Sequence, residues 1–333
     1  MSKKNIVSII VPVYNGENTI QRCIESILNQ SITKFDLYII NDGSSDNTDN
    51  IIKKYLNIPN VHIISQDNQG VSKARNVALE LVNTKYVTFV DSDDYVDCNY
   101  LKNLISGIEK YKVDLVIEGF KKISNEKVYF RWNQGVYSSR KLMEILLNEN
   151  GPQGYLWNKL FKVNIIKENN LKFDQNIHMA EDLLFCIKYV SKINNGVVLN
   201  NCDYNYVYTE NSLSNTASIL NKNNNYKEAY KNYLMALDKI KENIPQKYIK
   251  CYKDINARIC KVDIDFMRAM KLNDVSLNKS FYKVIKKDAK RKQLFLYISS
   301  IVKAKSKIYS LLSLWFPNII KKIDTVRFRK MNG

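Results

Sequence analysis

The chain has 333 residues, 45% of them hydrophobic and 11% aromatic, enough apolar material for one large domain or two ordinary ones. Only 10 Gly and 5 Pro exclude long disordered linkers, and six scattered cysteines without a CxxC pair argue against a zinc site or a disulfide framework and for reduced thiols in a cytosolic protein. The net charge of +18 is uneven: residues 1–220 balance acids against bases, and the whole excess falls in residues 221–333. That asymmetry predicts a boundary near 220 and an anionic partner for the last third, whether a membrane surface, a polyanionic substrate or nucleic acid.

The first stretch, MSKKNIVSIIVPVYNG, sets two lysines before an apolar run. The run is short, contains Pro12 and ends in a polar turn without a small-residue cleavage site, so it reads as a first buried strand rather than a signal peptide. Nowhere does the chain approach the ~18 uninterrupted apolar residues of a membrane helix. Residues 6–13 are predicted as a strand. Residues 17–29 carry Ile20, Cys23, Ile24, Ile27 and Leu28 at helical spacing. A strand over 35–40 ends at Asn41-Asp42-Gly43, and Asp46 or Asn47 caps a helix burying Ile51, Ile52 and Tyr55. A short strand over 61–64, a helix over 71–81 and a strand over 86–90 complete the series. Alternation of apolar strands with helices predicts a mostly parallel sheet covered on both faces.

Open parallel sheets bind ligands beyond the carboxyl ends of their strands. Those ends carry Tyr14-Asn15-Gly16, Asn41 to Asp46, Gln66 to Gly70, and Asp91-Ser92-Asp93-Asp94: four polar tips, three of them acidic. Neither GxGxxG after the first strand nor GxxxxGK[ST] occurs, which removes the nucleotide loops of dehydrogenases and P-loop enzymes. In FVDSDDYVD, residues 89–97, four carboxylates crowd behind a buried strand. Carboxylates hold a diphosphate only through a hard divalent cation, so Asp91 and Asp93 are candidate ligands for Mg²⁺ or Mn²⁺. The plainer alternative is an acidic turn capping a helix that starts near Tyr95.

Taken together, VSIIVPVYNGENTI (7–20), IINDGSSDNT (39–48), DNQGVSKARNVAL (67–79), VTFVDSDDYV (87–96), WNKLF (157–161) and AEDLLF (180–185) resemble the family 2 glycosyltransferases of the GT-A fold, in that family's order and over roughly residues 5–215. The resemblance implies a donor site over about 5–98, an acceptor and base region over about 150–215, and a helical region beyond 220. It implies that Tyr14 packs on the nucleotide base with Pro12 shaping the strand end. Asp42 accepts from the base, and Glu17, Asn68 and Arg75 join the donor site. Asp91 contacts ribose or a metal-bound water, Ser92 lies between, and Asp93 ligates the metal. Asp182 becomes the general base of an inverting transfer, with Glu181 beside it shaping the acceptor pocket or tuning it. Trp157 and Asn158 become an acceptor-side wall, with His178 near the acceptor or phosphate. Each residue also has a structural alternative: a turn aromatic for Tyr14, an Asx turn for Asp42, an acidic helix start for Glu17 or the Glu181-Asp182 pair, a core position for Trp157.

One departure from the family pattern follows the Glu181-Asp182 helix. Val207 and Thr209 stand where basic residues are usual, leaving Ser212 and Ser214 as phosphate donors. Beyond 220, apolar residues recur at helical spacing, as in Tyr226, Tyr230, Tyr233 and Leu237, and again from Leu294 to Trp315. Lysines and arginines run between them, which suits an anionic bilayer, a phosphate-bearing wall polymer, or a helical bundle with a solvated basic face.

The expected protein is an inverting, metal-dependent hexosyl- or N-acetylhexosaminyltransferase. It would use a UDP-sugar and a glycan, lipid-linked or wall-polymer acceptor, working in the cytoplasm at the inner face of the cell membrane, as a monomer or an oligomer. The alternatives are a nucleic-acid-binding protein, for which no RNA- or DNA-binding motif is present, and a scaffold without catalysis, against which the intact Asp42, Asp91, Asp93 and Asp182 set argues.

Overall fold

The computed structural model describes residues 5–124, 127–208, 226–272, 279–299 and 302–331. The chain divides into two compact units, one from residues 1–146 with 154–212, the other from 147–153 with 213–333. The expected boundary at 220 lies outside the described residues, as do Thr209, Ser212 and Ser214.

The first unit opens with β1 (Val7–Val13), α1 (Ile20–Leu28), β2 (Phe35–Asp42), α2 (Thr48–Lys53), β3 (Val61–Gln66), α3 (Val71–Leu81) and β4 (Tyr86–Phe89). There follow β5 (Tyr95–Val96), α4 (Tyr100–Tyr111), β6 (Leu115–Ile117), β7 (Phe120–Ile123), β8 (Lys127–Phe130), β9 (Gly135–Ser138) and α5 (Ser139–Leu147). It closes with β10 (Lys159–Lys162), α6 (Val163–Glu168), α7 (Glu181–Val190), β11 (Asn195–Val198) and β12 (Tyr204–Val207). The main sheet has the order β3-β2-β1-β4-β10-β6-β11-β9, and a smaller sheet the order β5-β12-β7-β8. Strands β3, β2, β1 and β4 are parallel, β10 runs antiparallel to both neighbours, and β11 is parallel to β6.

Every residue of β1 is buried, as a central strand covered on both faces requires. Its one hydroxyl, Ser8 Oγ, lies 2.8 Å from Thr84 Oγ1, so the buried polar atom is paired. Pro12 is tolerated for a topological reason. Ile10 O accepts from Val90 N on the β4 side, residue 12 has the same orientation, and β4 has ended by then, so no ladder bond is lost. Helix α1 starts at Ile20, the first of its apolar residues and three after the predicted start at 17; residues 16 and 17 instead turn their N–H groups to Thr48 and Asp46 beyond β2. Asp91 to Asp94 do not open a helix: β5 follows them, and α4 begins only at Tyr100.

The second unit is helical: α8 (Tyr226–Glu242), α9 (Ile249–Leu272), α10 (Lys279–Ile298), α11 (Ala304–Trp315) and α12 (Pro317–Met331). Tyr230, stacked on Phe266 with centroids 4.2 Å apart, donates to the buried Asp263 at 2.7 Å. Residues 147–153 join this unit, where Glu149 pairs with Lys261 at 3.3 Å. All six cysteines are free thiols.

Candidate active site

The parallel register puts the tips of β1, β2, β3 and β4 on one edge of the sheet. The first two tips are stitched together. Asn15, with φ 50°, donates its N–H to Ser44 Oγ at 2.9 Å and accepts from Ser45 N at 2.8 Å. Gly16 N donates to Thr48 Oγ1 at 2.8 Å, and a Cβ at Gly16 would stand 2.7 Å from Val13 Cγ2, so any side chain there would have to displace the Val13 methyl. Glu17 accepts from Asn47 N at 2.9 Å. In this structure the Glu17 carboxylate is thus occupied in holding the start of α2.

Asp42, 4% exposed, ties β2 to the loop before α3. It accepts from Gln66 Nε2 (2.7 Å), Gln69 N (3.0 Å) and Gly70 N (2.9 Å). That loop comes close: at Gly43, φ +74°, a Cβ would meet Asn68 N at 2.6 Å. Asn68 itself is exposed, as is Tyr14 at 51%, while Asp42 is buried.

The four carboxylates of FVDSDDYVD separate into two pairs. Asp94 is a buried brace, accepting from Tyr204 Oη at 2.6 Å and Val207 N at 2.7 Å. Asp97 pairs with Lys121 and accepts from Asn205 Nδ2 at 2.8 Å. Both fasten the turn to the smaller sheet, leaving Asp91 and Asp93 with Ser92 between them, all half-buried. Arg22 donates to the Asp93 carbonyl at 2.5 Å and lies 5.2 Å from the Tyr95 ring centroid, a support with no signal in the sequence beyond a charged helix residue.

Arg75 joins this turn to α7. Its Nη2 lies 3.5 Å from Asp91 Oδ1, while its Nη1 lies 3.5 Å from Glu181 Oε1 and donates to Asp182 Oδ1 at 2.7 Å. The guanidinium is held 5.4 Å from the Phe173 ring centroid, and Asn76, next along α3, fixes Phe173 through bonds to its backbone N and O at 2.8 and 2.9 Å. Ala180 caps α7 in the left-handed region, φ 61°, a conformation that costs a non-glycine residue free energy and here starts the helix at Glu181.

One cation faces three acids, and the charges follow. Burial pushes the Asp91 carboxyl up to about 6; Asp93 and Glu181 add to the rise and Arg75 opposes it. Burial also raises Asp93. Asp182 is pushed well above the usual carboxylate range by burial, then by Glu181 and Asp91, against Arg75. Among the described residues no group of three His, Cys, Asp or Glu side chains is arranged to hold an ion. Asp91 and Asp93 supply two hard oxygen donors in a region short of positive charge. That fits a small divalent cation whose remaining ligands come from a bound anion.

Trp157 and Asn158 are not placed as an acceptor-side wall. Trp157 is 5% exposed and sandwiched between Tyr155 and Tyr204, centroids 4.8 and 4.2 Å away, so both its faces are taken. Asn158 is fully buried and donates to Glu118 O at 3.0 Å. Lys159, also buried, donates to Asn158 Oδ1 at 2.9 Å, and burial lowers its pKa to about 8. This segment is core beneath the site. His178 is exposed, two residues before the α7 cap. Val207 N is spent on Asp94, which joins the departure at 207 to the brace under the Asp91–Asp93 turn.

Comparison with known proteins agrees with this architecture. Residues 8–169 match the family model for glycosyl transferase family 2. The chain is 29% identical over 274 residues to the uncharacterized glycosyltransferase EpsJ of Bacillus subtilis, covering 79% of this chain and 77% of that one. It is 30% identical over 203 residues to the poly(ribitol-phosphate) β-N-acetylglucosaminyltransferase TarS of Staphylococcus aureus, covering 60% of this chain but 35% of the relative. The solved structure of S. aureus TarS 1–349 in complex with UDP-GlcNAc superposes with a TM-score of 0.65 at 20% identity, over 93% of this chain and 90% of that one, and so shares its GT-A fold. Residues 8–169, just under half of the chain, thus carry a glycosyl transferase family 2 domain.

Proposed function

We propose that this glycosyltransferase moves a hexosyl or N-acetylhexosaminyl group from a UDP-sugar to a hydroxyl of a surface glycan or wall-polymer acceptor, with inversion. The observation that carries the reading is the Arg75 bridge, which brings Asp91 of the β4 turn and Asp182 of α7 to one guanidinium. A leaving diphosphate and an attacking hydroxyl have to meet on opposite faces of one anomeric carbon, so a donor-side acid and a base must converge. TarS supports UDP-GlcNAc as the donor class. A second relative, the poly(ribitol-phosphate) β-glucosyltransferase of Bacillus spizizenii, is 28% identical over 312 residues, 90% of this chain and 45% of that one, and supports a phosphate-bearing polymer as acceptor. Both polymer-modifying relatives are named for β-linked products, which from an α-linked nucleotide sugar requires inversion.

In this reading Tyr14 packs on the uracil and Asp42 accepts from it. Pro12 and Gly16 shape the tip that presents Tyr14, Glu17 and Asn68 line the donor loops, and Asp91, Ser92 and Asp93 receive the diphosphate. A Mn²⁺ or Mg²⁺ ion held by Asp93 and Asp91 would neutralise the charge of the departing UDP. Asp182 takes the acceptor proton on its carboxylate oxygen. Glu181 keeps that carboxylate basic by like-charge repulsion, and Arg75 keeps it oriented.

The test is a screen of UDP-sugars with Mn²⁺ and a poly(ribitol phosphate) acceptor, reading UDP release and the product's anomeric coupling by NMR. A β-linked product that Asp182→Asn no longer forms supports the reading. An α-linked product, or undiminished turnover in Asp182→Asn, overturns the mechanism.

A further inference from the structure

We propose that helices α10 to α12 form a docking face for an anionic lipid bilayer. The helices already fill their inner side: Ile285, Ala289, Leu296, Leu314 and Ile320 are buried. A second apolar set points outward on the opposite side. On α10, Lys283, Lys287, Lys290, Leu294 and Tyr297 lie along one stripe, and Leu294 and Tyr297 are 64% and 68% exposed. On α11, Lys305, Ile308, Leu312 and Trp315 form another, and Phe316, Ile319 and Ile323 carry it through the corner into α12.

The two stripes meet. Trp315 Nε1 donates to Gln293 Oε1 at 3.1 Å, and Lys290 Nζ sits 4.3 Å from the Trp315 ring centroid. Lys290 also borders an open depression with Lys283, Lys286, Lys287 and Arg291. Exposed isoleucine, leucine and tryptophan therefore adjoin a basic cluster on the same face.

Charge selects the occupant's sign. Residues 279–331 contain fifteen Lys and Arg against two Asp and no Glu. Of those acids, Asp288 pairs with Lys292 and Asp324 with Arg268. A second copy of this face would bring like charges together. A soluble polyanion or a nucleic acid would satisfy the lysines but leave Ile308, Leu312 and Ile319 in water. An anionic bilayer satisfies both: apolar side chains enter the acyl boundary, lysine stems lie along it with their ammonium groups at the phosphates, and an indole suits the interface. Among the described residues no helix is long and apolar enough to cross a membrane, so the contact is one of surface docking.

The inference does not depend on the donor or acceptor, because it is read by binding alone. The whole protein is mixed with phosphatidylcholine vesicles with or without phosphatidylglycerol, and co-sedimentation and quenching of Trp315 by brominated lipid are measured. Binding is expected only to the phosphatidylglycerol vesicles, with quenching that Trp315→Phe removes. Lys283→Glu/Lys287→Glu/Lys290→Glu should weaken it by about a hundredfold or more, and Ile308→Ser/Leu312→Ser by more than about tenfold. Failure of the folded protein to bind anionic vesicles overturns the proposal. So does binding to dextran sulfate that matches vesicle binding and ignores the Ile308/Leu312 substitutions, or a dimer that those substitutions dissolve.

Discussion

Arg75 Nη1 donates to Asp182 Oδ1 at 2.7 Å while the same guanidinium reaches Asp91. A residue of α3 thereby ties the acid after β4 to the acid opening α7, two segments far apart in the sequence. Removing that cation leaves three partly buried carboxylates facing one another, a situation that costs about 3–5 kcal/mol. Arg75→Ala should lower stability by that order at neutral pH. Its deficit should shrink as pH falls and the acids protonate. Arg75→Lys keeps the charge but not the fork, and should recover part of the stability and little of the turnover. Chemical denaturation at several pH values, with kcat beside it, checks this.

Asp182 makes a kinetic prediction. Its carboxyl is held above the ordinary range chiefly by burial, so the acid limb of kcat should lie above the ~4 of a free aspartate, and activity should fall as pH drops through it. Asp182→Asn should cost about 10²–10⁴ in kcat and leave donor binding intact. A pH–rate profile with donor titrations separates the two effects.

Glu118 lies outside the site and tests the energetics of the core. It is fully buried, and burial first, then the Asp203 and Asp97 charges, push its carboxyl far up, with the Asp203 backbone N–H and Lys121 only partly opposing. A carboxyl raised in the folded state binds its proton more tightly there than in the unfolded chain. Its contribution therefore falls as pH climbs from the unfolded value of about 4.3 toward the folded one, at about 1.4 kcal/mol for each unit of difference. Glu118→Gln should flatten that slope and be the more stable protein at pH 8. Equal pH dependence of the two proteins in urea melts would contradict this.

Trp157 and Tyr204 distinguish core from wall. Trp157→Phe loses stacking on two rings and should lower the melting temperature while leaving the acceptor KM within about twofold, since no face of the indole is open. Tyr204→Phe takes one of two donors from the buried Asp94 and should cost about 1–3 kcal/mol. It should also weaken metal-dependent donor binding, because Tyr204 Oη accepts from Asp91 N at 3.2 Å as well.

How far the sequence was legible depends on the range of the forces involved. Strands β1, β2 and β4 stand in it as apolar runs because a central parallel strand is buried on both faces, while the edge strand β3 is mostly half-buried, and Val71–Leu81 stands as the predicted helix. The acidic tips were legible because short motifs lie at strand ends. The start of α1 was misplaced because Glu17 answers to Asn47, across a loop, rather than to the helix. Trp157 becomes an acceptor-side wall only through the family resemblance, with a core position as the alternative, and nothing local announces that Tyr155 and Tyr204 will stack on it. The division of labour in FVDSDDYVD was hidden for the same reason: Asp94 and Asp97 are claimed by Tyr204, Val207, Asn205 and Lys121, partners that only the tertiary fold brings near.

The central claim is a metal-dependent nucleotide site at Asp91 and Asp93, with the base on a separate element. Thermal unfolding with UDP and Mn²⁺ tests it most directly, since a ligand bound by the native state raises the melting temperature. UDP with Mn²⁺ should stabilise the wild type and Asp182→Ala, should do nothing for Asp93→Ala, and should lose its effect when EDTA replaces Mn²⁺. No shift in folded wild-type protein at millimolar ligand, or an equal shift in Asp93→Ala, would contradict the account.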